Sequence, residues 1–182
     1  MRKVVASLFQ TLDGVIEAPQ DWSFAFWNDE ISKYKNDELF TSDALLLGRV
    51  TYELFASAWP SRTDDTGFAD RINNLRKYVV STTLERVEWN NSHLLKGNIA
   101  KDVELLKQQQ GQDILIGGSA SLVQTLLDHD LVDEIRLLVY PVVLGRGKRL
   151  FGEKNKATLK RLDTKAFGDV VAVTYAPVKS SS

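Results

Sequence analysis

Short apolar runs that alternate with helix-like stretches are the feature that most constrains the fold of this chain. The apolar runs occupy residues 4–9, 44–47, 78–80, 114–116 and 134–140. Apolar side chains at helical spacing predict helices over residues 26–40, 50–58, 70–75 and 102–110 and after Ser119. Because strand–helix–strand order places parallel strands side by side, the sequence predicts an α/β fold with helices on both faces of a mostly parallel sheet.

The C-terminal end departs from this alternation. Apolar runs at 159–162 and 170–175 flank Gly168 and Asp169, a pair typical of tight turns, and no helix-like stretch separates the two runs. We therefore expect an antiparallel C-terminal hairpin at the edge of a mixed sheet. Since no linker or repeat divides the chain, we predict one domain over residues 1–178 and a flexible polar tail over residues 179–182.

The composition argues against several classes of partner. The 182 residues include 23 Lys and Arg against 24 Asp and Glu, so the chain lacks the basic surplus typical of nucleic-acid binding. The longest apolar run, 137–144, contains Pro141 and is far shorter than the ~20 residues of a membrane span. The run at 4–9 is also too short for a secretory signal. We expect a cytoplasmic protein with neither nucleic acid nor membrane as partner.

Three strand ends carry residues suited to an anion, and ligands of open α/β sheets bind beyond the carboxyl ends of strands. The first follows the run at 44–47. Here Gly48 permits close approach of the backbone to a ligand, and Arg49 and Thr51 place a guanidinium and a hydroxyl at a predicted helix N-terminus. A tight turn with a solvated Arg49 is the alternative explanation.

The second candidate is a run of three hydroxyl side chains, Ser81, Thr82 and Thr83, directly after the run at 78–80. Hydroxyl groups at a strand end can bind a phosphate. They also cap turns and helices by accepting hydrogen bonds from nearby backbone amides. Taken alone, the three hydroxyls favour capping.

The third candidate is the segment Gly117, Gly118, Ser119, Ala120 and Ser121. Two glycines leave backbone amides uncovered where a strand becomes a helix, and the positive end of the helix dipole favours an anion there. Ser119 is a good N-cap for that helix. A packing requirement for glycine explains the pair equally well.

The order of these segments resembles the dihydrofolate reductase-like superfamily, most closely the branch typified by the reductase domain of bacterial riboflavin biosynthesis. The resemblance rests on Gly-Arg-x-Thr-x-Glu at 48–53, on the hydroxyls at 81–83 and on Gly-Gly-Ser at 117–119. Thr-Leu-Asp-Gly at 11–14 resembles the Ser-Leu-Asp-Gly that follows the family's first strand. Residues 131–147 resemble the C-terminal signature. The likeness covers residues 2 to 177.

The resemblance implies a three-layer fold that binds NADPH across the strand ends. Gly48, Arg49 and Thr51 would hold phosphates of the cofactor, and the hydroxyls at 81–83 would surround the adenosine ribose and its 2′-phosphate. The glycine-rich segment at 117–121 would cradle the pyrophosphate. FMN is the alternative cofactor, and members of the family commonly form homodimers.

Two departures from the family pattern concern the substrate. Members that reduce the riboflavin pyrimidine intermediate resemble one another in a Lys on the first strand and a Glu before the paired glycines. Those positions are Ser7 and Ile116 here. Because both charged groups are replaced, the substrate class is left open, and we expect either a small polar heterocycle, pterin- or pyrimidine-like, or a carbonyl compound.

Hydride transfer needs a proton for the accepting atom, from a positioned acid or from water. Folate-reducing relatives use a carboxylic acid on the helix after the first strand. The candidates in that neighbourhood are Asp21, Asp29 and Glu30, and Asp13, directly after the first strand, is a candidate substrate-facing group. Of these, Asp13 and Asp29 are our predicted catalytic residues, although a turn and a helix cap explain them without function.

Four aromatic residues, Trp22, Phe24, Phe26 and Trp27, precede the first long helix. They either stack on a flat heterocycle or pack into the core. The chain has no cysteine and only two isolated histidines, so we assign no metal. The sequence thus predicts an NADPH-dependent reductase. The alternatives are a nucleotide- or flavin-binding protein of the same fold without turnover, and a scaffold that works through oligomer contacts.

Overall fold

An eight-stranded mixed sheet forms the centre of the fold in the computed structural model, which describes residues 1–153 and 155–179. The strands are β1 (Val4–Thr11), β2 (Ser42–Gly48), β3 (Arg76–Val80), β4 (Ser92–Leu95), β5 (Asp113–Ile116), β6 (Glu134–Tyr140), β7 (Leu159–Phe167) and β8 (Val170–Pro177). The helices are α1 (Asp29–Phe40), α2 (Arg49–Ala58), α3 (Phe68–Asn74), α4 (Ile99–Gln108) and α5 (Ala120–Asp128). Two three-residue 3-10 helices, Pro19–Asp21 and Phe24–Phe26, lie between β1 and α1.

The strand order is β4-β3-β2-β5-β1-β6-β8-β7. Strands β1 to β6 pair in parallel, whereas β8 is antiparallel to both β6 and β7. The predicted mixed, mostly parallel sheet with a C-terminal antiparallel hairpin is confirmed. The carboxyl ends of six strands therefore meet at one edge of the sheet.

Helices cover both faces because successive side chains of the buried strands point to opposite sides. On β1, Val4 packs with α4 and α5 in one apolar cluster, whereas Val5 packs with α1, α2 and α3 in another. A third cluster, on the same face as α1, joins Ile31 to Leu138 and Tyr140 of β6 and to the β7–β8 hairpin. The result is the predicted three-layer arrangement.

Helix boundaries follow the capping residues. The helix predicted from residue 26 begins at Asp29 because the side chain of Asn28 accepts a hydrogen bond from the Ile31 amide at 2.9 Å. Ser119 caps α5 as predicted, accepting from the Leu122 amide at 3.4 Å. Of the predicted tail, residues 180–182 lie outside the described residues. Within the described ranges, no helix is long and apolar enough to cross a membrane.

Candidate functional site

The three candidate segments lie at one edge of the sheet. Gly48, the last residue of β2, pairs with Val80, the last residue of β3, so Ser81 continues from the position beside it. On the other side of β2, Leu46 pairs with Ile116, the last residue of β5, and the glycine pair follows. Parallel pairing therefore brings together segments that are separated by up to 70 positions in the sequence.

The turns after β2 and β5 touch each other. The amide of Gly48 donates a hydrogen bond to the carbonyl of Gly118 at 3.2 Å, and the Gly118–Ser119 peptide bond is cis. A Cβ atom on Gly48 would lie 2.7 Å from the Ser119 hydroxyl oxygen, and one on Gly118 would lie 2.8 Å from the Thr51 hydroxyl oxygen. Close packing therefore requires glycine at both positions, and Gly118 also has a φ of +137°.

This contact places the N-termini of α2 and α5 side by side. The first amides of each helix have no partner within their own helix, and the first turns of α2 and α5 carry no acidic side chain. Arg49 is the first residue of α2, and its guanidinium forms an ion pair with Glu53 at 3.0 Å. Both side chains are about half exposed, at 46% and 48%. The arrangement supplies two adjacent positive dipole ends and one solvent-accessible guanidinium.

The three hydroxyl residues after β3 divide into two groups. Ser81 is buried, and its hydroxyl accepts hydrogen bonds from the amides of Thr83 and Leu84 at 3.2 and 3.0 Å. Ser81 therefore caps the turn, which is the alternative weighed above. Thr82 and Thr83 are exposed at the edge of the sheet. These two hydroxyls are accessible to a ligand that spans β3, β2 and β5.

Asp13 links the turn after β1 to the turn after β6. Its carboxylate accepts hydrogen bonds from the Thr11 hydroxyl at 2.6 Å and from the amides of Gly145 and Leu144 at 2.8 and 3.3 Å. These bonds, that of Thr11 first, lower the pKa of Asp13 to about 2. An anion held this way does not donate a proton at neutral pH, and the role of Asp13 as a substrate-facing group stays a prediction.

The other carboxylates of this region are exposed. Asp29 and Glu30 form the first turn of α1, where the helix dipole favours an anion, and Asp21 lines a cavity described below. No contact with another element distinguishes Asp29 among the described residues. Its catalytic role stays a prediction.

A charged cluster around Ser7 was not predicted. The buried carboxylate of Glu38 accepts hydrogen bonds from the Ser7 hydroxyl at 2.9 and 3.0 Å, and Arg136 approaches it to 3.5 Å. Lys35 donates to Ser7 at 2.8 Å and to Glu38 at 2.5 Å. A cation thus stands beside Ser7 even though the strand itself carries none. The sequence signal was the i, i+3 pair of Lys35 and Glu38, but its burial was not evident.

An aromatic cluster lies beyond this charged cluster, towards the strand ends. The ring of Tyr140 packs against Phe9 and Trp22 at centroid distances of 5.4 Å and against Phe26 at 6.0 Å. Trp22 is buried, as the core alternative predicts, whereas Phe24 and Trp27 are 62% and 42% exposed. The segment therefore contributes Trp22 to the core and leaves Phe24 and Trp27 exposed to solvent.

A cavity of about 370 Å³ borders the same segment. It is lined by Val15, Glu17 and Trp22 on one side and by Leu144 and Arg146 on the other. The cavity lies where the segments after β1 and β6 meet. The cavity therefore lies beyond the carboxyl ends of β1 and β6, and β1 is the neighbour of β5 in the sheet.

Comparison with solved structures defines the class of fold. A putative riboflavin biosynthesis protein from Shewanella sp. PV-4 matches with a TM-score of 0.78 and 21% identity, over 97% of this chain and 99% of that one. Dihydrofolate reductase from Enterococcus faecalis, complexed with NADP(H), matches with a TM-score of 0.60 and 16% identity over 97% of both chains. The protein therefore has a dihydrofolate reductase-like α/β fold.

Sequence comparison identifies the family. The RibD C-terminal domain family matches residues 2–173. The uncharacterized protein YyaP of Bacillus subtilis is 33% identical over 182 residues, which cover 96% of this chain and 94% of the relative. The chain belongs to the RibD C-terminal domain family, as the sequence motifs indicated.

Proposed function

We propose that this protein is an NADPH-dependent reductase that transfers hydride to a small planar heterocycle or carbonyl compound. The observation that carries the proposal is the junction of α2 and α5, where two helix N-termini lie side by side next to the exposed hydroxyls of Thr82 and Thr83. Dinucleotide phosphates are anions, and such helix ends bind anions. The reductase-type fold supports the same conclusion.

The chemistry of the donor set fits NADPH. The amides that follow Gly117 and Gly118, with Ser119 and Ser121, would hold the pyrophosphate, as would Gly48 and Thr51 across the junction. We place the 2′-phosphate near Arg49, Thr82 and Thr83, because these provide a guanidinium and two hydroxyl donors. The carboxylate paired with Arg49, that of Glu53, is about half exposed and not buried. Ala120 contributes its backbone amide at the start of α5, while Ser81 supports the turn. When bound, NADPH supplies the hydride.

The substrate would lie at the ends of β1 and β6. These strands follow β5 along the same edge, so a ligand anchored at the α2–α5 junction has its free end towards them. The rings of Phe9, Trp22 and Tyr140 suit a flat heterocycle. Because Asp13 is held as an anion, water or an exposed carboxylate such as Asp29 would supply the proton. We also propose that the protein forms a homodimer and is located in the cytoplasm.

The test is a titration of tryptophan fluorescence with NADPH, NADH and FMN, followed by turnover assays. We expect NADPH to bind more tightly than NADH, and we expect reduced nicotinamide absorbance to fall only when a pterin, pyrimidine or carbonyl substrate is added. Equal affinities for NADPH and NADH would contradict the placement of the 2′-phosphate. Tighter binding of FMN than of NADPH would contradict the choice of cofactor.

One observation favours a second candidate, a nucleotide- or flavin-binding protein without turnover. The charges around Ser7 satisfy one another, and Ile116 replaces an acidic residue of riboflavin-pathway members, so no charged group of those relatives remains free for a substrate. Tight NADPH binding with no oxidation across the substrate panel would favour this candidate over the reductase.

A further inference from the structure

One buried hydroxyl near the proposed substrate region, that of Tyr140, stabilises the fold through no hydrogen bond among the described residues. Tyr140 is fully buried, and its hydroxyl oxygen has no hydrogen-bond partner among the described residues. Burying a hydroxyl without a partner is unfavourable, and such groups in folded proteins call for an explanation. A ligand that accepts a hydrogen bond from this hydroxyl would remove the cost of burying it.

The position of Tyr140 supports this reading. Tyr140 is the last residue of β6 and pairs with Thr11, the last residue of β1, at the edge that carries the proposed cofactor site. Three rings surround it, those of Phe9, Trp22 and Phe26. A hydroxyl close to aromatic rings favours a ligand whose faces are flat and apolar and whose edge carries a hydrogen-bond acceptor.

Trp22 contacts both the Tyr140 ring and the cavity. Its indole meets the Tyr140 ring at an interplanar angle of 75°, and the same residue lines the 370 Å³ cavity. The cavity volume lies within the range of small-molecule sites, about 300–1,000 Å³. Trp22 belongs to a segment of two 3-10 helices and is fixed by a single side-chain hydrogen bond, from its Nε1 to the Glu17 carbonyl at 3.0 Å.

We infer that the Trp22 indole shifts to join the cavity to the aromatic cluster, and that the Tyr140 hydroxyl then donates the hydrogen bond that recognises the substrate, an uncharged planar heterocycle with a ring carbonyl. The inference deepens the proposed reductase function and rests on it. The donor role holds over the neutral range, since burial raises the pKa of Tyr140 to about 12 and keeps the hydroxyl protonated.

Tyr140→Phe tests the inference because it removes only the hydroxyl. Lumazine, a planar pteridine with two ring carbonyls, serves as probe, and quinoxaline, a bicycle without a carbonyl, serves as control ligand. Binding of each is measured by calorimetry to the full chain. We expect Tyr140→Phe to weaken lumazine binding about tenfold, because a hydrogen bond contributes up to about 1.5 kcal/mol. Quinoxaline and NADPH should bind equally well to both proteins.

Tyr52→Phe provides the matched stability control. The Tyr52 hydroxyl accepts hydrogen bonds from the amides of Glu88 and Trp89 at 2.9 and 3.1 Å, so its loss should lower Tm by several degrees. Tyr140→Phe should leave Tm unchanged or raise it, because no native partner is lost. A fall in Tm equal to that of Tyr52→Phe would reveal a structural partner and overturn the inference.

The remaining outcomes are also decisive. Equal lumazine affinity in the parent and Tyr140→Phe would overturn the role of the hydroxyl, and no lumazine binding at millimolar concentration would overturn the ligand class. If NADPH fails to bind the parent while the lumazine difference is observed, the reductase proposal fails and the Tyr140 site stands.

Discussion

Arg49 gives the sharpest test of the proposed cofactor site, because we expect it to exchange Glu53 for the 2′-phosphate when NADPH binds. In the structure the Arg49 guanidinium is paired with Glu53 on the next turn of α2. A 2′-phosphate would compete for the same guanidinium. We therefore predict opposite effects of two neutralising variants, Arg49→Ala and Glu53→Gln, on the affinity for NADPH.

The magnitudes follow from the exposure of the pair. A hydrogen bond to a charged group contributes about 1.5–3 kcal/mol, and the half-exposed Arg49 belongs at the low end of that range. Arg49→Ala should then weaken NADPH binding about tenfold. An exposed i, i+4 ion pair contributes only about 0.3–0.5 kcal/mol, so Glu53→Gln should strengthen NADPH binding about twofold.

The assay is fluorescence titration of the parent and both variants with NADPH and NADH, at low and at high salt. NADH serves as the internal control because it lacks the 2′-phosphate, so its affinity should be nearly unchanged. Both NADPH effects should shrink at high salt. An equal loss of NADPH and NADH affinity in Arg49→Ala would refute the placement of Arg49 at the 2′-phosphate, as would an unchanged NADPH affinity.

Three further predictions concern the site and the fold. Gly117→Ala should fold normally, because its Cβ would lie 3.6 Å from the Phe55 ring, yet it should bind NADPH more weakly. Gly118→Ala should lower Tm, because alanine is strained at a φ of +137°. Lys77→Met should lower the free energy of unfolding in urea by about 3 kcal/mol, because the fully buried ammonium donates to three backbone carbonyls. Burial lowers the pKa of Lys77 to about 8, so between about pH 8 and about pH 10 the unfolded chain binds more protons than the folded protein. The free energy of unfolding of the parent should therefore rise relative to that of Lys77→Met over this pH range. Asp13→Asn should lower Tm at neutral pH, and the difference from the parent should vanish as pH falls from about 4 to about 2, where the native carboxylate takes up its proton.

The sequence predicted the segments whose physical signal is local. Apolar runs marked five of the parallel strands, and Ser119 marked the start of α5 because capping depends on a side chain and its own helix. Strand β4 was missed, since its four residues, Ser92–Leu95, begin with a polar pair and lie at the sheet edge, where packing requires no continuous apolar run. The resemblance supplied the expectation that the three candidate segments converge.

What the sequence did not reveal depends on contacts between distant residues. Thr11 lowers the pKa of Asp13 from only two residues away, but the other partner set of Asp13, the amides at 144 and 145, is distant, as is the partner set of Glu38, which includes Ser7 and Arg136. Neither partner set has a fixed spacing in the chain. The need for glycine at 118 likewise comes from Thr51 on another helix, which the packing alternative allowed for but did not identify.

The charges on the α1 face bear on what the substrate can be. Glu38 is satisfied by Ser7, Lys35 and Arg136, so a ligand that took one of the two cations would leave the buried carboxylate with a single cation. An anionic ligand would therefore exchange one charge-assisted bond of Lys35 or Arg136 for another and gain no additional one. An anionic substrate is therefore disfavoured beneath the aromatic segment. Among the residues that the structure describes, Tyr140 has a hydroxyl without a partner in that region, and a neutral donor favours an uncharged heterocycle.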